Sequence, residues 1–441
     1  MTEYPGSKTV PYKRDADKRK KWTLTDIAAI LFLMLLALGL RTFNLGTPND
    51  LYFDEVYYVD AAQKLWQGEK DPNSVHPPLG KWIIAAGISA TQSALGPDVD
   101  QRIAWRSAAV LAGVLMVGAT YGFALTVFDF NRPAAVAAGF VVATEHLHLT
   151  MTRIAMLDPF LALFCLLGAW GSFAYFKGYH ERWAVLGAFS LGLATGCKWS
   201  GLLTAFGCFL ACLYFDRRQN LEYSKSQRYF CWLLLLIPLG FFLSYFHLFR
   251  MEGFHLETFE TIFKQGERMV KFRADPEQFV HGYKSQFWQW PLVLRPIWLH
   301  YEEPVKDQIV EGICSLGIWW VWWFFTVLLL ERLYTGLIAK KDLVAGALVL
   351  LWFGQWLPWV ASTTGGFFYY MLPEVPIMAL LLGKLFADLA DFDDVLAEGR
   401  YRAWLLAGGY LLGVVLYYPF AIGLHVPKDM FKVLFRLNGW I

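Results

Sequence analysis

Eleven apolar stretches constrain this chain more than any other feature in it. A helix that crosses a bilayer needs roughly 17 to 25 mostly apolar residues. Segments that reach or approach this length lie near 26 to 44, 105 to 128, 134 to 148, 159 to 176, 183 to 196, 200 to 215, 230 to 249, 313 to 330, 343 to 360, 367 to 386 and 403 to 424. The third, fifth and sixth are the least well defined. With 56% hydrophobic residues, 17% charged residues and 20 Trp in 441 residues, the composition excludes a soluble domain of this length. The expectation is an all-α polytopic membrane protein, with a basic tail at 1–25 and a single transmembrane domain over 26–441.

The tail carries "KRKKW" ahead of an apolar run from Ile27 to about Leu40, and "RTFNLG" follows in place of a small-x-small cleavage site. This reads as a retained first span. With the N-terminus cytoplasmic, the inner connections hold 20 Lys and Arg, whereas the short outer ones hold only Arg153 and Lys198. The positive-inside rule therefore orients the chain. An odd number of crossings then puts the C-terminal tail outside, together with two long loops, 45–104 and 250–312. Within the first loop, "GKWIIAAGISATQSALG" (80–96) reads as a helix on the membrane surface rather than a twelfth span. Cys165, Cys197, Cys208, Cys212, Cys231 and Cys314 all lie in or beside apolar runs, without metal-ligand spacing. Neither disulfides nor zinc are expected.

The residues able to do chemistry fall on the outer side. Asp54 and Glu55 follow the first span; helical geometry would point adjacent side chains about 100° apart, so they suit two roles better than one shared proton. A carboxylate desolvated at the membrane surface has a raised pKa and serves as a general base, or the pair simply starts a loop helix. His76 precedes two prolines, a turn that either aims the imidazole into a cleft or ends a segment. Arg106, Arg153 and Lys198 stand at the outer ends of different segments, where cations either reach for headgroups or grip a phosphate. Asp158 in "TRIAMLDP" is a candidate partner for Arg153. "QFWQWPLVLRPIWLHY" supplies Phe287, Trp288, Trp290, Trp298, Tyr301 and Arg295, an interfacial belt or a stacking surface for sugars. Asp-x-Asp, which holds a metal on a nucleotide diphosphate, occurs at Asp15/Asp17, Asp98/Asp100 and Asp391/Asp393; only the second lies outside. A donor with one phosphodiester has no diphosphate to chelate, so no metal or other cofactor is required, although a divalent cation is compatible.

Several motifs in order resemble protein O-mannosyltransferases, in particular bacterial members. They are "FDE", "HPPLGK", "WRSAAVLAGVLM", "TRIAMLDPFLALF", "ATGCKWSGL", "HGYKSQFWQWPLVLRPIW", "FYYMLP" and "YYPFAIGLHVP", spread from about residue 50 to 427. The resemblance implies a GT-C glycosyltransferase fold in the cell membrane, with an extracytoplasmic site that passes mannose from a polyprenyl phosphate to Ser or Thr of secreted or membrane proteins. Carried onto this chain, it makes Asp54 and Glu55 catalytic, with Asp54 the base. The family's arginine at the start of the second span falls on Arg106 and its His-Pro-Pro on His76; with Arg106, the cations Arg153, Lys198 and Arg295 read from the loops are the candidate donor-phosphate ligands. His76, Asp158, His281 and Trp290 become substrate-binding or structural. The outer loop is too short for the luminal β-trefoil of eukaryotic members. The alternatives are a related GT-C enzyme that glycosylates a lipid or glycan, against which the 17-residue C-terminal tail argues, and a transporter of lipid-linked sugars, against which the nearly non-polar spans argue.

Overall fold

The computed structural model describes residues 21–219, 224–275, 281–390 and 397–436; most of the 1–25 tail, and the Asp-x-Asp pairs at 15/17 and 391/393, lie outside them. A helix forms at each of the eleven apolar segments. In chain order the helices are α1 (Leu24–Thr42), α2 (Glu55–Trp66), α3 (Leu79–Leu95), α4 (Gln101–Val127), α5 (Arg132–Thr144), α6 (His146–Met151), α7 (Asp158–Phe176), α8 (Arg182–Cys197) and α9 (Gly201–Gln219). There follow α10 (Ser224–Ser244), α11 (Phe246–Glu252), α12 (Leu256–Ala274), α13 (Trp319–Leu333), α14 (Leu343–Trp356), α15 (Val375–Ala390), α16 (Ala397–Tyr417), α17 (Pro419–Ile422) and α18 (Lys428–Arg436). Seven are long and apolar enough to cross a membrane among the described residues, counting the short helical turns that extend α13, α14 and α15. The chain is a multi-span membrane protein. Of the remaining segments, α5 has only 13 residues and α8 only 16.

Two corrections to the sequence reading concern the backbone. The third apolar segment is broken at Glu145, whose carboxylate accepts from the His148 amide (2.9 Å) and so caps α6. The chain also carries strands. β1 (Ile297–Val305) pairs antiparallel with β2 (Ile309–Ser315), and β2 pairs with β3 (His425–Pro427). This three-stranded sheet joins the long 250–312 loop to the C-terminal tail, with Glu311 contacting both His300 (3.2 Å) and His425 (2.7 Å). The 80–96 stretch is helical, as α3.

Helices in a membrane gain little from hydrophobic exclusion, so close approach through small residues is what lets them pack. α9 and α14 touch at Gly207 and Gly354, where a Cβ on Gly354 would come within 2.2 Å of the Gly207 Cα. α7 and α8 meet through Gly171 and Gly187 in the same manner. α1 is fixed at its start by a capping box between Thr23 and Asp26. The buried Asp26 carboxylate also accepts from Arg132 (2.8 and 3.0 Å) and the Tyr121 hydroxyl (3.0 Å), which ties α1 to α4 and α5.

Candidate active site

The site begins with an unusual backbone. Phe53 has φ of 50°, the left-handed region, which costs a bulky residue of order 1–3 kcal/mol. The kink turns the chain into α2, so that Asp54 caps the helix through its carbonyl and Glu55 becomes its first residue. The two neighbouring carboxylates then enter different environments.

Glu55 is fully buried. Its carboxylate accepts from Arg106 twice (Nε 3.0 Å, Nη2 3.1 Å), from the Ala155 amide (2.9 Å) and from the Tyr52 amide (3.4 Å). The other Arg106 donors go to the carbonyls of Leu45, Thr47, Pro48 and Asp50 at 2.7 to 3.3 Å. Every N–H of that guanidinium is therefore occupied by the protein. The pair clamps the 45–55 loop to α4 and to the turn ahead of α7. Arg153, 3% exposed, donates to the carbonyls of Leu40 (3.4 Å), Arg41, Phe43 (2.7 Å) and Asn44 (3.0 Å). It thus closes the C-terminal end of α1, where a cation suits the helix dipole.

Asp54 differs on each count. It is half-buried, and among the described residues its carboxylate makes no hydrogen bond or ion pair. Burial pushes its carboxyl up to about 6; the nearby Lys198 ammonium draws it down and Asp158 pushes it up. Lys198 follows the end of α8 and reaches Asp158, the first residue of α7, at 2.7 Å. Its ammonium also faces the rings of Tyr369 (5.8 Å) and Tyr370 (5.9 Å). Burial works against that charge, but Asp158 and Tyr370 outweigh it, so Lys198 stays protonated.

Three more elements close around this centre. The 71–76 turn is held by buried Lys81, whose ammonium bonds Asp71 and the carbonyls of Asn73 and His76. Its His76 ring lies 6.2 Å from Tyr58. Burial, with the cations Lys198, Lys81 and Arg273 around it, holds the imidazole well below its ordinary pKa and neutral. Arg273, near the C-terminal end of α12, lies over Tyr370 (5.5 Å) and Trp359 (5.6 Å) and donates to Ser362 Oγ (3.4 Å) and the Gly365 carbonyl. Trp290 is buried behind Tyr370, 5.8 Å between ring centres, with its indole N–H on Ser285 Oγ (3.0 Å).

The structure thus gathers Asp54, His76, Asp158 and Lys198 from the sequence reading into one chamber. Glu55, Arg106 and Arg153 are buried in the frame beneath it, and Asp158 pairs with Lys198, with no bond to Arg153. His281 is exposed beside Phe53 (6.3 Å) and Phe367 (5.1 Å). Arg295 is exposed and donates to the Gly282 carbonyl (2.7 Å). Asp100 of the outer Asp-x-Asp caps α4 through the Arg102 amide (3.0 Å) and pairs with the Arg102 side chain. The sequence reading missed Arg273, Tyr58, Tyr369 and Tyr370. "FYYMLP" contained the last two, and the period of α12 was the available signal for the first: Thr258, Ile262, Gly266 and Met269 form its buried face, and Arg273 continues it.

Chemically the chamber offers one unpaired carboxylate of raised pKa, two cations of different geometry and a set of phenol rings. These suit proton abstraction beside a bound anion.

Solved structures share this architecture. The Saccharomyces cerevisiae protein O-mannosyltransferase Pmt1-Pmt2 complex bound to the sugar donor superposes with a TM-score of 0.76 over 97% of this chain and 94% of that one, at 13% identity. ArnT from Cupriavidus metallidurans bound to undecaprenyl phosphate gives 0.52 over 91% and 76%, at 14% identity. The fold is accordingly that of the GT-C membrane glycosyltransferases. Among curated proteins, the polyprenol-phosphate-mannose--protein mannosyltransferase of Mycolicibacterium smegmatis is 23% identical over 96% of this chain and 94% of its own length. Dolichyl-phosphate-mannose--protein mannosyltransferase 1 of Candida albicans is 29% identical over 61% of this chain and 33% of its own. The profile of the dolichyl-phosphate-mannose-protein mannosyltransferase family matches residues 31–254, half of the sequence, and this chain belongs to that family.

Proposed function

We propose that the protein transfers mannose from a polyprenyl-phosphate donor to Ser or Thr hydroxyls of proteins on the outer face of the cell membrane. The observation that carries the reading is the contrast between the two carboxylates: Glu55 is saturated by Arg106 and backbone amides, whereas Asp54 is unpaired and pushed up to about 6. Asp54 then acts as the base in an inverting single displacement. It takes the proton from the acceptor hydroxyl as that oxygen bonds the anomeric carbon. The bond from the anomeric carbon to the phosphate oxygen breaks, and its electron pair leaves with the polyprenyl phosphate.

Lys198 and Arg273 receive the charge that develops on the leaving phosphate, and Asp158 orients Lys198. One such donor is worth about 3–4 kcal/mol of transition-state stabilisation. Glu55, Arg106 and Arg153 shape the chamber without touching substrate, and Trp290 supports Tyr370. His76, neutral and beside Tyr58, is available to hydrogen-bond a sugar hydroxyl. His281, on the exposed rim, faces the arriving acceptor. The donor's single phosphodiester and the two protein cations allow the reaction to be written without a divalent ion.

Eleven crossings, with the N-terminus inside and the C-terminus outside, accord with the helix at each apolar segment and with the 20-to-2 charge count. The test is mannosyl transfer to a Ser/Thr-rich peptide by purified protein in detergent with polyprenyl-phosphate mannose. Wild type forms mannosyl-peptide and Asp54→Asn does not. Undiminished transfer by Asp54→Asn overturns the assignment of the base.

A further inference from the structure

A cavity of about 780 Å³ lies apart from the candidate active site, between α1, α5, α13, α15 and α16. Its walls are hydrocarbon, including Phe32, Val136, Phe324, Leu382 and Leu411. Small residues keep it open: Ala29, Ala137 and Gly409 line it, and a Cβ on Gly409 would meet nothing within 4 Å. Along α5 it runs from Pro133 to Val141, a rise of about 12 Å at 1.5 Å per residue.

Polar side chains stand at both ends. The Tyr410 hydroxyl already pairs with Thr144 (2.9 Å) and the Val141 carbonyl (3.1 Å). Arg132 is different. Its Nε and Nη2 hold Asp26 at 2.8 and 3.0 Å, and Nη2 also reaches the Lys21 carbonyl at 3.4 Å. Among the described residues Nη1 has no partner, and the side chain is 37% exposed. Asp26 offsets one charge at this mouth, but exposed Lys21 and the N-terminal end of α1 restore a positive balance. A cation at one end and about 12 Å of hydrocarbon behind it is the outline of an anionic amphiphile.

We propose that this groove holds one acyl chain of an anionic phospholipid from the leaflet at the start of α1, with its phosphate on Arg132. The site is separate from the chamber around Asp54 and does not depend on the catalytic reading. It buttresses α15, which continues directly from the turn bearing Tyr369 and Tyr370.

The experiment uses the full chain purified in detergent. Retained lipid is quantified by extraction and mass spectrometry, and the unfolding temperature is followed as phosphatidylglycerol or phosphatidylcholine is added to delipidated protein. The expected result is about one phosphatidylglycerol retained per chain and a rise in unfolding temperature at lower concentrations of phosphatidylglycerol than of phosphatidylcholine. Gly409→Phe, which fills the groove with no clash at its Cβ, should abolish both. Arg132→Gln should narrow the preference for the anionic lipid about tenfold, the worth of one charged hydrogen bond. Equal response to the two lipids, or unchanged retention in Gly409→Phe, overturns the proposal. So does displacement of the phospholipid by polyprenyl phosphate, which would give the groove to the donor. A wild-type dimer that Gly409→Phe converts to monomer would give it to a second copy and overturns it as well.

Discussion

The position of Asp54 implies that the proposed base weakens the fold, and the size of that effect follows from its environment. A carboxyl that ordinarily titrates at 3.8 stands at about 6 here, chiefly because burial disfavours the anion. At 1.36 kcal/mol per pKa unit, ionising it in the folded state costs about 3 kcal/mol more than in the unfolded chain. Since the folded value is raised, the stability it contributes is complete below the unfolded value and is lost as the pH rises through about 6. Asp54→Asn replaces the anion with a neutral group of the same size. The variant should therefore be more stable than wild type by up to about 3 kcal/mol at pH about 7.5, a shift of a few degrees in unfolding temperature. The gain should shrink toward zero as the pH approaches about 4. Thermal unfolding in detergent, followed at several pH values alongside the transfer assay, measures it. A variant no more stable than wild type at pH about 7.5, or a gain independent of pH, would refute the claim that Asp54 is held against its solvation preference.

Glu55→Gln should behave in the opposite way: leaving Arg106 buried without its partner costs about 3–5 kcal/mol, so folded yield and unfolding temperature fall, and any protein that folds retains the wild-type pH profile. The acid limb of kcat/KM should lie near pH 6 for wild type and move down in Asp158→Asn, since that negative neighbour raises Asp54. Lys198→Met should move it up by removing the cation that lowers Asp54, and a pH profile of each variant checks both signs. Arg273→Met should keep its fold and lose about 100-fold or more in transfer, measured with saturating peptide and varied donor; an unchanged rate would remove Arg273 from the phosphate site.

Long apolar runs announce helices, so a helix at each of the eleven segments was legible in the sequence, though not the break at Glu145, and so was the candidacy of Asp54, His76, Asp158 and Lys198. The fates of individual cations were not. Arg106 and Arg153 have the same sequence context as Lys198, a cation at a helix end beside an outer loop. Only the folded chain shows that Glu55 and backbone carbonyls hold Arg106, and that backbone carbonyls hold Arg153. Arg273 escaped because its neighbours in sequence are charged and solvated, while its neighbours in space, Trp359 and Tyr370, come from two separate turns (Leu357–Ala361 and Phe368–Glu374) far along the chain. The sheet escaped for a related reason. "IWLHYEEPV" carries large residues that also suit a membrane interface, and the partner that makes it a strand, β2, lies across a tight turn at Asp307 (φ 62°), with β2 in turn paired to the tail beyond α17.

The Lys198–Asp158 pair has an electrical consequence for the proposed reaction. The ammonium and Asp158 cancel, and Arg273 stands further off, over Tyr370. A phosphodiester enters with one negative charge and departs as a monoester with up to two, while Asp54 changes from anion to neutral acid in the same step. The total charge of the chamber is the same before and after transfer. Negative charge simply migrates from the carboxylate to the lipid phosphate, within a space where bulk water contributes little screening. The chamber returns to its starting state only when the spent lipid has left and Asp54 has given up its proton to solvent.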